Sequence, residues 1–335
     1  MDSLTQIVLG AAVGEAVLGK KIGNKAMLWG AIAGTIPDLD VIAKQIFDDV
    51  TANEMHRGFS HSILFSLLAA PIFGWLIAKL YKKKEADWRD WSKLMFFGLF
   101  THPLLDAFTT WGTQLFWPFT YKVSFKNIFV IDPIYTMPFL VCVIIAMCYK
   151  RSDPKRRKVN NIGLFISSLY MLLTLTFKWI TYDVFKKSLE DQQISYREIQ
   201  TKPTPLKSIL WSANVETDTA FLIGHYSLLQ NGKEVAFVEF PKNHHLLGAM
   251  KKEPLIPRLI HLTEGWYTIE KKGNKTFFND LRFGLLGLPP DADAFVFSYE
   301  LYYENGILCG REAKKNMKDA GPLLKKLFAR IVSVD

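Results

Sequence analysis

The sequence predicts an α-helical, polytopic membrane bundle followed by a β-rich α+β domain. Three observations predict it. The long apolar runs are confined to the first half of the 335-residue chain. Lys and Arg gather in alternate loops between those runs. After about residue 190 the pattern changes to short strand-like pieces separated by turns such as QNGK, KKGNK and ENG. The expected domains are residues 1–185, transmembrane and helical, and residues 186–335, extramembrane and β-rich.

The apolar runs are taken in order. Residues 4–19 are rich in small residues and helical in period; the positive charges follow the run, unlike a secretory signal. Residues 26–36 form a second short run ending in PDLD. Each is shorter than the ~20 residues that spanning takes. Their GAAVG and GAIAG stretches allow close backbone approach in a tight hairpin. Residues 60–80, 92–110, 131–149 and 161–182 are expected to span. The strand-like pieces AFLIGHYSLL, EVAFVEF, GWYTIEKKG and AFVFSYELYYENG then predict an antiparallel domain, closed by a basic helix over 313–332.

The net charge of +9 does not form a stripe, which argues against nucleic acid as a partner. Segments Lys20–Lys25, Lys79–Lys93 and Lys150–Lys158 carry fifteen Lys/Arg residues, against Lys44, Arg57, Lys122 and Lys126 in the alternate segments. Positive loops stay cytoplasmic, so residues 37–60, 108–130 and 183 onward are expected to face outward. Cys142, Cys148 and Cys309 are too few for a disulfide framework and form no CxxC pair. Any metal must therefore take His and carboxylate ligands.

The polar residues of the apolar half fall at the outer helix ends. Asp2, Ser3 and Gln6 open the first run, and Asp38 and Asp40 close the second. His56, Arg57, Ser60 and His61 open the third. His102 and Asp106 lie in the outer half of the fourth, and Asp132 opens the fifth. His102 and Asp106, spaced i, i+4, project from one helical face, with Pro103 between them. Ionisable groups at membrane depth point inward and mark function. Converging His and Asp side chains open to water suit a zinc-type hydrolase, because the metal brings the pKa of bound water to about 7.

Plainer readings stand beside this one. His102 and Asp106 could be a paired couple in a bundle core. Asp38 and Asp40 could merely end a helix, although two carboxylates in one loop also suit Mg or Mn. His56 and His61 do not share a helical face, and Ser60 is expected as the N-cap of the following helix. His61 is then the preferred ligand, with His56 in support or as proton donor. Arg57 either anchors the interface or binds a substrate phosphate. Glu15 reads as solvated or paired with lysine. Trp88, Trp91, Trp111, Trp117 and Trp179 read as interfacial anchors, His244 and His245 as solvated, and His225 and His261 as packed.

The segments MDSLTQIVLGAAVG, PDLDV, HRGFSHS and THPLLDAFTTWGTQLFWPF…IDP resemble the YdjM/YfhP family of bacterial inner-membrane proteins, described as metal-dependent hydrolases. The resemblance covers residues 1 to about 140. The HxxxD of His102–Asp106 is also similar to the metal-binding motif of zinc-dependent phospholipase C and P1-type nucleases. The resemblance implies that Asp38 or Asp40, His56 or His61, His102 and Asp106 bind one or more divalent metals. Gln6 stands where many relatives have histidine.

These readings lead to a multi-pass inner-membrane hydrolase with its C-terminal domain on the periplasmic side. Its substrate is expected to be an ester or phosphoester of a lipid or lipid-linked molecule, cleaved by metal-activated water. The expected metal ligands are Asp38, Asp40, His61, His102 and Asp106, around zinc or else Mg or Mn. Arg57 and His56 are expected to assist catalysis. The alternative is a non-catalytic scaffold, regulatory or transport protein with a structural His/Asp cluster.

Overall fold

The structure is a computed structural model that describes residues 1–81, 85–205, 208–230, 232, 234–287 and 294–313. The basic helix expected over 313–332 lies outside the described residues from 314 onward. The chain divides into two compact units. One comprises Met1–Ile42, Met55–Thr176 and Pro205–Ser208; the other comprises Ala43–Glu54, Phe177–Thr204 and the chain from Ile209.

The first unit is helical. Helix α1 spans Ser3–Ile22, and the Asp2 side chain caps it by accepting from the Thr5 N–H. Gly23, at φ 63°, reverses the chain, and its N–H closes α1 on the Gly19 carbonyl. Helix α2, Asn24–Ala33, returns along α1. A Cβ on Gly10 would collide with the Gly30 carbonyl, and one on Gly14 with that of Ala26. The small-residue stretches thus bring the two backbones together as the sequence predicts.

A 3-10 segment, Pro37–Gln45, carries Asp38 and Asp40. Helix α3 follows at Asp49–Met55, then a 3-10 turn, Phe59–His61. His61 therefore precedes helix α4, Ile63–Leu80, instead of lying inside it. The cap of α4 is Ser62, whose Oγ accepts from the Phe65 N–H, and not the expected Ser60. Helix α5, Trp88–Asp106, opens with a capping box formed by Asp87 and Asp90. Helix α6 runs Pro133–Cys148, and α7 runs Pro154–Asp191.

Among the described residues, α4 and α7 are long and apolar enough to cross a membrane. The bent pair of α2 and Pro37–Gln45 raises that to three if it counts as one broken span. The apolar runs predict four spans, and the helices show why fewer qualify. Helix α6 has 16 residues, about 24 Å at 1.5 Å per residue. Helix α5 carries Arg89, Asp90, Lys93 and Asp106 within its length.

The ends of α1 and α2 away from Asp38 hold a buried ion pair that corrects the reading of Glu15. Glu15 accepts from Arg156 Nε (2.7 Å) and Nη2 (2.5 Å), and Arg156 Nη1 donates to Asn24 Oδ1 (2.6 Å). Trp91 and Trp111 are likewise buried, whereas Trp88, Trp117 and Trp179 are exposed. Trp91 packs on Trp29 and Tyr81, and Trp111 lies edge-on to His56, roles that composition cannot tell from anchoring.

The second unit holds two four-stranded antiparallel sheets. One is formed by β1 (Glu198–Pro203), β2 (Leu210–Glu216), β3 (Ala220–Ser227) and β4 (Phe237–Pro241). The other is formed by β5 (Tyr267–Lys272), β6 (Lys275–Leu285), β7 (Phe295–Glu304) and β8 (Ile307–Glu312). Each is a meander in chain order. Helix α8, Leu255–Leu262, lies between them in sequence. Asn214 of β2 and Lys202 of β1 both donate to carbonyls of β6. Helix α3 joins this unit: Asn53 Nδ2 donates to Tyr299 Oη (2.9 Å), and Asp49 Oδ2 accepts from the Glu312 N–H (2.9 Å). His261 is exposed, contrary to expectation, and His244 stacks on Tyr267.

Candidate metal centre

Four side chains meet at one end of the helical unit. Asp38 comes from the 3-10 segment after α2, His61 from the turn before α4, and His102 and Asp106 from the last turns of α5. One ligand-type atom from each lies within 4.8 Å of the others. Asp38 Oδ1 is 3.4 Å from His61 Nε2 and 3.3 Å from His102 Nε2. Asp106 Oδ2 is 3.7 Å from both of these nitrogens. His61, His102 and Asp106 are fully buried, while Asp38 is partly exposed.

The outward bonds of the two imidazoles set their tautomers. His102 Nδ1 is 2.6 Å from the Gly34 carbonyl oxygen, which can only accept, so Nδ1 carries the proton. His61 Nδ1 faces Ser60 Oγ (3.0 Å) and Asp40 Oδ2 (3.3 Å), which likewise favours a proton there. Both Nε2 lone pairs then point into the same space, toward two carboxylates. Four acceptors converging in a buried site repel one another unless a cation stands among them. Asp106 Oδ2 is buried and ion-paired with Arg57 Nε, without hydrogen-bond geometry between them. Two imidazole nitrogens and two carboxylate oxygens fit a divalent metal.

The supporting residues are engaged in turn. Asp106 Oδ1 accepts from Gln6 Nε2 (2.9 Å), which also donates to the His102 carbonyl, and contacts the α-amine of Met1. Gln6 therefore steadies Asp106. Arg57 Nε lies 2.9 Å from Asp106 Oδ2, and its Nη1 donates to Thr109 Oγ1 (2.6 Å). Asp40 stands behind His61, outside the group of four. It is 2.9 Å from His56 Nδ1 and accepts from the Arg57 N–H (2.8 Å). Burial pushes the His56 imidazole below its ordinary range, against the pull of Asp40.

Of the residues expected to converge, Asp38, His61, His102 and Asp106 do so, and His56, Arg57 and Asp40 border them. Asp2 and Asp132 do not join. Asp2 caps α1; Asp132 caps α6 and accepts from Tyr170 Oη (2.9 Å) and Ser208 Oγ (3.0 Å). Sequence reasoning missed the Gly34 carbonyl. Its one signal was the small-residue GAIAG run, which brings α2 backbone close to α5, where Gly98 packs on Ala33.

A helical unit with apolar spans and a buried His/Asp group defines a membrane protein carrying a candidate metal centre. The chain belongs to the YdjM inner membrane protein family, whose model matches residues 1–182. No curated protein and no solved structure matches it.

Proposed function

We propose that this protein is a multi-pass inner-membrane metal-dependent hydrolase acting on a phosphoester of a lipid or lipid-linked molecule. The observation that carries the reading is the convergence of two imidazole lone pairs and two carboxylates in one buried site. Asp38, His61, His102 and Asp106 would hold the metal, zinc by the nitrogen and oxygen donor set, with Mg or Mn the alternative. A bound divalent ion supplies Lewis acidity and lowers the pKa of a coordinated water toward neutrality.

The chain's own residues supply the rest. Asp40 fixes the tautomer of His56, leaving Nε2 as the atom that accepts or returns a proton. Arg57 brings a fixed positive charge to the border of the site, where a phosphate in transition gains negative charge. In the reaction one P–O bond forms from water, the P–O bond to the alcohol breaks, and the alcohol leaves with a proton. The charge distribution of the loops supports a periplasmic position for the site and for the C-terminal domain.

One observation favours a non-catalytic reading: Arg57 already places positive charge on Asp106, and the Met1 amine occupies its other oxygen. Metal analysis of the purified protein separates the two. We expect stoichiometric divalent metal in the native protein and little in His102→Ala or Asp106→Asn. Metal at background in all three would sink the hydrolase. Bound metal without turnover of any phospholipid would leave the metal centre and remove the enzyme.

A further inference from the structure

The loop between α5 and α6 has an unusual surface. Its stem is closed by an antiparallel bridge, with the Thr113 N–H on the Val123 carbonyl (3.0 Å) and the Val123 N–H on that of Thr113 (2.8 Å). Its tip is apolar and turned outward. Phe119 and Tyr121 are each 72% exposed, and Phe116 and Trp117 are exposed beside them. Clustered bare aromatic side chains on a bridged stem are the mark of an interaction surface.

The tip is joined to α4, a helix long and apolar enough to cross a membrane. The Ile63 N–H at the start of α4 donates to the Leu115 carbonyl (3.0 Å). The ring of Phe59 lies 5.0 Å from that of Trp117 and 5.4 Å from that of Phe65, in the first turn of α4. The exposed apolar face of α4, with Leu64, Leu67 and Leu68, continues directly into this aromatic cluster. Helix α4 has 18 residues, about 27 Å, so it is nearly matched to the ~30 Å hydrocarbon layer. Its first turn then lies at the headgroup boundary, where Trp and Tyr concentrate. His61 is two residues before that turn.

We propose that the tip of the 113–123 loop, with Phe59, inserts into the leaflet on the side of the His/Asp group. It holds that group at the depth of the phosphates, so the substrate is a phospholipid approached within the leaflet. The choice of substrate rests on the function proposed above; the insertion does not.

The test uses the full chain in phosphatidylcholine/phosphatidylglycerol vesicles, with Cys142, Cys148 and Cys309 replaced by alanine. Nitroxides are placed at Phe119→Cys, at Leu67→Cys as a lipid-facing reference, and at Asn274→Cys in the exposed β5–β6 turn. Insertion predicts that the Phe119 label follows Leu67, relaxed by oxygen and shielded from chromium oxalate. Chromium oxalate access equal to that at Asn274 overturns the proposal. So does shielding from both agents with spin–spin broadening, which would make the partner a second copy of the chain. In the second arm, Phe119→Glu with Tyr121→Glu is expected to slow vesicle phospholipid hydrolysis at least tenfold and to spare a soluble glycerophosphodiester. Equal loss on both overturns the claim of approach through the leaflet. Absence of hydrolysis by the native protein counts against the function and leaves the depth measurement standing.

Discussion

His61 and His102 face each other through their Nε2 atoms, 3.1 Å apart. With both Nδ1 atoms protonated by their outward bonds, neither Nε2 carries a hydrogen to share. Between neutral rings the contact is one between two lone pairs, which a bound cation relieves, as does a proton held on His61 by its carboxylate neighbours. Adding Zn²⁺ or Mn²⁺ to chelator-treated protein should therefore raise its thermal midpoint. Free metal at 100 times Kd corresponds to about 2.7 kcal/mol. Asp38→Asn and His61→Ala should abolish the shift, as read by nanoscale fluorimetry in detergent.

Asp40 supports His61 from behind, so its loss should weaken the site without destroying it. Asp40→Asn is expected to lower metal affinity about 10- to 100-fold, the range usual for residues that orient a ligand. Competition with a chromogenic chelator measures this. An effect as complete as that of Asp38→Asn would make Asp40 a ligand.

The α1–α2 contact leaves no room for side chains. Gly10→Val or Gly30→Val should cost at least about 1–3 kcal/mol through backbone displacement. Because α2 leads into Asp38 and its Gly34 carbonyl holds His102, metal affinity should fall too. Gly232→Ala, with nothing within 4 Å, probes only its positive φ and should leave metal binding unchanged.

Glu15 and Arg156 are both buried, so removing one partner strands the other charge. Arg156→Met or Glu15→Gln should each destabilise the helical unit by about 3–5 kcal/mol, and the double variant by less than the sum. Denaturation in mixed detergent micelles gives the cycle.

In the second unit, Asn53→Ala leaves Tyr299 Oη buried without its partner. The expected cost is about 1–3 kcal/mol. Hydrogen exchange should accelerate first in α3, which that bond ties to β7.

The sequence by itself determined much of this protein. Apolar runs defined a helical half with membrane-length spans. The small-residue stretches defined the α1–α2 hairpin, and turn residues defined a β-rich remainder. Polar residues in apolar runs are rare enough to be noticed, so Asp38, His61, His102 and Asp106 were legible. Tertiary structure decided their relations. Asp38 and Asp40 are two residues apart, yet one joins the group and the other stands behind His61, because a 3-10 segment turns them to different neighbours. Glu15 became a buried partner of Arg156 because α7 brings that guanidinium back 141 residues later. The tautomers of both histidines depend on a carbonyl and a carboxylate from other segments. Periodicity registers which residues share a face of one element. It carries no record of which element that face will meet, and the chemistry of this site arises from such meetings.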